Sequence, residues 1–72
     1  MKSKNWNDSS TKRPEIGEQI LVKMLLKDTV YFAVYSGDDE FDVNRLDLQI
    51  KDHRASWFKY SHRSVSKWRY FQ

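Results

Sequence analysis

The sequence predicts an all-β fold: a small antiparallel meander of four to five strands, able to curl into an open barrel, with a flexible N-terminal arm. Three observations predict it. The stretch "TVYFAVYS" is dense in β-branched and aromatic residues, which suit a pleated, half-buried surface. Leu46, Leu48 and Ile50 alternate with Asp47, Gln49 and Lys51, the period-two signature of a strand with one wet face. Turn residues punctuate the chain where strands must reverse: Pro14 fixes φ, and Gly17 and Gly37 permit positive φ.

Taken in order, residues 1–13 are polar and read as a flexible arm, and residues 14–72 form a single small β domain. "RPEIGEQ" is a turn. Residues 19–27, "QILVKMLLK", place Ile20, Val22, Met24 and Leu26 at alternate positions, and a short Lys27-Asp28 connection makes residues 19–36 a hairpin. "SGDDE" is the next turn, followed by Phe41 and Val43 alternating with Asp42 and Asn44. The apolar parity then switches, so a bulge or a second small turn is expected near Asn44-Arg45. Two last strands, roughly 55–60 and 64–71, are joined at "SHRS".

Composition sets the terms on which this fold is stable. A chain of 72 residues is one domain and buries only roughly 60% of the surface exposed when unfolded. With no Cys, no disulfide or thiolate site can staple it. Aromatic residues make up 15% of the chain, and each ring buries on the order of 150–250 Å². Six of the eleven rings fall between Trp57 and Phe71. Core demand assigns Trp57, Phe58, Trp68 and Phe71 to the interior, with the neighbouring bases on the solvent side. The missing Cys, the shortness of the longest apolar stretch "YFAVY" and the polar start predict a cytoplasmic protein that does not enter a membrane.

Two segments carry a resemblance. "KRPEIGEQILV", preceded by a lone Trp6, and the closing "SVSKWRYF" resemble a family of small phage and prophage proteins of unknown function. Its members open on Trp-Ile-Ser, continue through Leu-Pro-Glu-x-Gly-x-x-Val-Leu-Val and close on Val-Thr-His-Trp-Met-Pro-Leu-Pro. Pro14, Glu15, Gly17, Leu21 and Val22 match the middle element, and Trp68 matches the closing one. "WND" replaces the usual opening, and "KWRYF" lacks the proline-rich end. The resemblance implies a phage or mobile-element origin, cytoplasmic action in an infected or lysogenic bacterium, and a β-rich fold; it carries no catalytic residues.

Charge supplies candidate surfaces. The net charge is +3, but residues 37–50 hold five acids against one base, net −4, and residues 51–72 hold six bases against one acid, net +5. Such asymmetry speaks of partners rather than fold. Asp38, Asp39, Glu40 and Asp42 form an acidic patch suited to a basic partner surface. Arg54, Lys59, Tyr60, Arg63, Lys67, Arg69 and Tyr70 interleave bases with rings, the pattern that grips a partner or single-stranded nucleic acid. Trp6 either lids one end of the sheet or anchors a partner.

Other chemistries lack their parts. The acidic run counted from Asp38 puts Val43 and Gln49 where a calcium loop needs Gly and Glu. His53 and His62 stand nine apart with no Cys. There is no Gly-rich phosphate loop, and a meander this short offers little room for a catalytic cleft, so neither enzymatic activity nor a cofactor or metal is expected. The expected function is a phage-type protein-binding module, an inhibitor of a bacterial host defence or nucleic-acid-processing protein acting by surface occlusion. A nucleic-acid-binding module built on the C-terminal strands is the alternative, and pairing of exposed sheet edges into a homo-oligomer is a third.

Overall fold

The computed structural model describes residues 5–45 and 57–71. Six strands form one antiparallel sheet: β1 (Asn7–Asp8), β2 (Gln19–Met24), β3 (Val30–Gly37), β4 (Glu40–Asn44), β5 (Trp57–Ser61) and β6 (Val65–Tyr70), with one turn of 3-10 helix over His62–Ser64. Their spatial order is β1-β6-β2-β3-β4-β5. The all-β prediction is met. β2 to β5 are the expected meander, but β6 does not pair with its sequence neighbour β5; it pairs with β2 on the far side of the sheet.

That connection forces curvature. Ser61 and Val65 are four Cα steps apart, at most about 14 Å. In a flat sheet β5 and β6 would be four strand spacings apart, roughly 19 Å. The sheet therefore curls around its inner face. It stays open: the end strands, β1 and β5, are not paired with each other among the described residues.

Alternation selects the inner face. Ile20, Val22 and Met24 on β2, Tyr31, Ala33 and Tyr35 on β3, and Phe41 and Val43 on β4 are all buried. On β6, Val65 and Trp68 are both buried although three apart, which strict alternation forbids. A bulge resolves this: Lys23 pairs with Lys67 but Met24 with Val65, leaving Ser66 as the extra residue. Trp68 is the largest fully buried side chain, and its indole Nε1 donates to the Lys12 carbonyl at 2.8 Å. Arg45 is buried too, its guanidinium 4.8 Å from the Tyr31 ring and donating to the Tyr60 hydroxyl at 2.9 Å.

Several expectations need correction. β2 ends at Met24 rather than running on through Leu26, because the Leu25 N–H donates to the Ser64 carbonyl and Leu26 takes φ 65° and is 98% exposed. Of the rings assigned to the core, only Trp68 is fully buried; Trp57 is 48% and Phe71 40% exposed, and Phe58 is half-buried. Trp57 pairs across from Asn44, one residue out of phase with buried Val43, so it points outward. The alternating segment at residues 46–51 and the parity switch beyond Arg45 lie outside the described residues.

Residues 5–13, expected as an arm, lie against the sheet. β1 pairs with β6, Asn7 opposite Trp68 and Asp8 opposite Lys67. Ser9 is buried, its hydroxyl donating to the carbonyls of His62 and Val65. Arg13 donates to the Ser9 carbonyl and to Asp39 Oδ1, the latter at 2.9 Å. A polar segment can dock by satisfying the unpaired edge of a strand, a gain that composition does not display.

Candidate functional site: the outer face of the sheet

The outward side chains follow from the pairing register. One row runs Arg69–Leu21–Phe32 across β6, β2 and β3, and Asn44–Trp57 continues it across β4 and β5, one step beyond the Ala33–Val43 pair. A second runs Gln19–Val34–Asp42–Lys59, with Phe71 beside Gln19 through a backbone hydrogen bond. Lys67 and Lys23 face each other across β6 and β2. The face thus divides into a basic half on β6 and β2 and an aromatic half from β3 to β5.

In the basic half, Lys23 is held outward because it alternates with buried Val22 and Met24. Its ammonium lies 4.7 Å from the centre of the Trp6 ring, and the Arg69 guanidinium lies 5.4 Å from the same ring. Trp6 is accordingly half-buried and docked, answering the choice the sequence left open. Like charges directly opposed in a ladder, as Lys23 and Lys67 are, destabilise the pair. The carboxylate opposite Lys67 on its other side is Asp8, whose pKa is held below the ordinary value by the Ser10 N–H and hydroxyl, against a desolvation penalty and with a still smaller contribution from Lys67.

In the aromatic half, Phe32 is 52% exposed and meets Phe71 edge-on, ring centres 5.4 Å apart. Trp57 stands on the far side of Asn44. These rings, with Val34 and Gln19, line a depression of about 310 Å³. Its floor includes Asn44, whose Oδ1 is buried without a hydrogen-bond partner.

The sequence-derived candidates separate accordingly. Lys67 and Arg69 join Lys23 and Trp6 on the outer face. Lys59 is there too, ion-paired with Asp42 at 3.4 Å. Tyr60 and Tyr70 turn the other way and pack against the core; Tyr60 accepts from Arg45, and Tyr70 accepts from the Glu15 N–H and stacks edge-on against Trp68 at 5.0 Å. Arg63 is exposed on the 3-10 turn, away from this face, and Arg54 lies outside the described residues.

The acidic patch is partly used within the molecule. Asp38 and Asp39 are the two central residues of the β3–β4 hairpin, with φ 51° and 59°, a positive-φ pair that Asp tolerates well. Asp39 is ion-paired with Arg13 at 2.9 Å and Asp42 with Lys59, leaving Asp38 and Glu40 as exposed acids at the tip.

Lys23, Phe32 and Asn44 were not among the sequence candidates. Parity alone would have put Lys23 outward between Val22 and Met24, and Phe32 opposite in facing to Tyr31 and Ala33. Bringing the three onto one surface with Arg69 and Trp57 needed the strand order. His62 Nδ1 lies 3.2 Å from Arg13 Nη2, which can only donate, so in that contact the ring nitrogen is the acceptor. His53 lies outside the described residues. Among the described residues no three side chains of metal-binding type come together, and no helix is long and apolar enough to cross a membrane.

Fold and face together define a small curled β-sheet domain with an outward aromatic–basic surface. Comparison with protein-family models, with curated proteins and with solved structures finds no match to this chain.

Proposed function

We propose that the protein is a non-enzymatic module that binds single-stranded nucleic acid on the outer face of its sheet. One observation carries this reading: Phe32, Trp57 and Phe71, exposed by 52%, 48% and 40%, share a face with Lys23, Lys67 and Arg69. Rings left wet in so small a domain contribute little to its core, whereas each can stack a base for about 1–3 kcal/mol. Cations on the same face neutralise the phosphates between stacked bases. The like-charged Lys23–Lys67 pair is a cost to the free protein that a bound phosphate removes.

The test is binding of a labelled mixed-sequence single strand as salt is raised. If Lys23, Lys67 and Arg69 each neutralise one phosphate, the logarithmic salt slope is about −2, and affinity falls roughly 20-fold between about 50 and 200 mM salt. Absence of saturable binding at the lower salt overturns the reading.

A second reading keeps occlusion of a bacterial host protein by a phage-type partner. The resemblance in "KRPEIGEQILV" and "SVSKWRYF" supports it, as does the contiguity of Phe32, Val34 and Phe71 as an apolar stripe. It loses support from the internal pairing of Asp39 and Asp42. No oligonucleotide binding, combined with a saturable stoichiometric complex with one bacterial protein, would decide for it.

A further inference from the structure

The depression between Phe32 and Trp57 has a shape that the stacking surface as a whole does not need. Trp57 on β5 stands opposite Asn44 on β4, and Phe32 on β3, one step beyond the Ala33–Val43 pair, lines the same depression from the other side. Strands two apart are separated by roughly 9.5 Å, and outward side chains stand nearly perpendicular to the sheet. A planar ring stacked against both walls needs roughly 7–8 Å between them. The walls are therefore spaced for one heterocycle, with Phe71 closing one end against Phe32.

The floor is chemically specific. Asn44 Oδ1 is shielded from water and accepts no hydrogen bond. A buried, unsatisfied acceptor costs about 1–3 kcal/mol, and in a position the core does not use, that cost is removed by a ligand bringing its own donor. In the free protein the oxygen is closed to solvent, so entry of a ring requires the side chains around it to shift.

Resting on the nucleic-acid reading above, we infer that this slot takes a single unstacked nucleobase bearing an exocyclic amino group, its N–H donating to Asn44 Oδ1 while its faces stack on Phe32 and Trp57. The amino groups of adenine and cytosine project from the base edge and meet the oxygen unhindered. The N3–H of thymine is flanked by two carbonyls, whose dipoles oppose an approaching acceptor. Arg69, in line with the slot beyond Leu21, flanks it with positive charge for an adjoining phosphate. Asp42, the carboxylate on this side, is already held by Lys59.

The experiment measures affinities of the full chain for short labelled oligo-dA, oligo-dC and oligo-dT, and for a strand of purine nucleotides lacking the 6-amino group. The expected result is oligo-dA and oligo-dC binding about five-fold or more tighter than oligo-dT, with the deaminated purine strand falling to the oligo-dT level. Asn44→Leu should abolish the preference, bringing oligo-dA and oligo-dC to the level at which the same variant binds oligo-dT. Equal affinity for the amino and deaminated purine strands overturns the inference whether or not N44L folds, and so does N44L weakening all strands alike. If no strand binds at all, the nucleic-acid reading itself fails; binding without base preference removes only the slot.

Discussion

Trp68 and Trp57 are eleven positions apart and lie on opposite faces of the same curled sheet. Trp68 on the inner face is wholly buried, its N–H satisfied by the Lys12 carbonyl and its ring against Tyr70. Trp57 on the outer face is half exposed, next to an acceptor that nothing satisfies. The inner face takes one large residue from nearly every strand and leaves no ring as exposed as those outside; the outer face keeps Phe32, Trp57 and Phe71 in contact with solvent. A ring of the first kind is held by folding. A ring of the second kind contributes little to folding and remains available to bind something else. The division also explains how so small a chain can afford eleven aromatics.

The largest effect should come from breaking the inner face. A domain of this size has a total stability of roughly 4–11 kcal/mol. Trp68→Ala removes a fully buried indole and should cost about 3–5 kcal/mol, and it also orphans the Lys12 carbonyl on the docked N-terminal segment. Urea or thermal unfolding of W68A should show a strongly lowered midpoint, with the domain close to unfolded at room temperature if the wild type lies at the low end of that range. A variant as stable as the wild type would mean that the core is centred elsewhere.

Phe32→Ala makes the opposite demand. With half its ring in water, loss of Phe32 should move the unfolding midpoint little, while single-strand affinity falls about 5- to 150-fold, the equivalent of one lost base stack at about 1–3 kcal/mol. A variant that loses stability in step with affinity would show that Phe32 belongs to the core and that the two faces are not functionally distinct.

How much of this division could be seen beforehand depends on the residue. The fold class was legible, because "TVYFAVYS" and the Gly37-Asp38-Asp39 turn are local signals that the β3–β4 hairpin reproduces. Trp68 as core was legible from size and scarcity of alternatives. Trp57 and Phe71 were misassigned because composition says how many rings a core wants, not which; that choice is made by register, with Trp57 one residue out of phase with the inward pair Val43–Phe58. The docking of residues 5–13 was hidden for a different reason, since Ser9 and Arg13 are held by hydrogen bonds to strand edges and turns rather than by an apolar pattern. The candidate site was legible in part: Lys67 and Arg69 came from the basic run near the C-terminus, while Lys23 and Phe32 come from the first hairpin and reach them only because β6 crosses to β2.

The smallest effect concerns the edge between the faces, where β1 meets β6. Asp8 Oδ1 accepts from the Ser10 N–H at 2.9 Å and from its hydroxyl at 2.8 Å, closing the turn that leads Ser9 into its buried site. These bonds, with Lys67 opposite, favour the ionised carboxylate and hold its pKa below the ordinary value. A group whose pKa is depressed by folding stabilises the native state fully above its unfolded pKa, and that contribution is lost as pH falls through the folded one. Asp8→Asn keeps an oxygen acceptor for Ser10 but cannot titrate. Wild type should therefore be slightly more stable than D8N near neutrality, and the margin should shrink as urea midpoints are followed from about pH 5 down to about pH 2. The aromatic half of the outer face should not respond, because Asp8 touches the sheet only beside Lys67 on its basic half. A margin constant across that range would show that the carboxylate's charge plays no part in holding the N-terminal segment, leaving the hydrogen bonds of Ser9 and Arg13 to fix it.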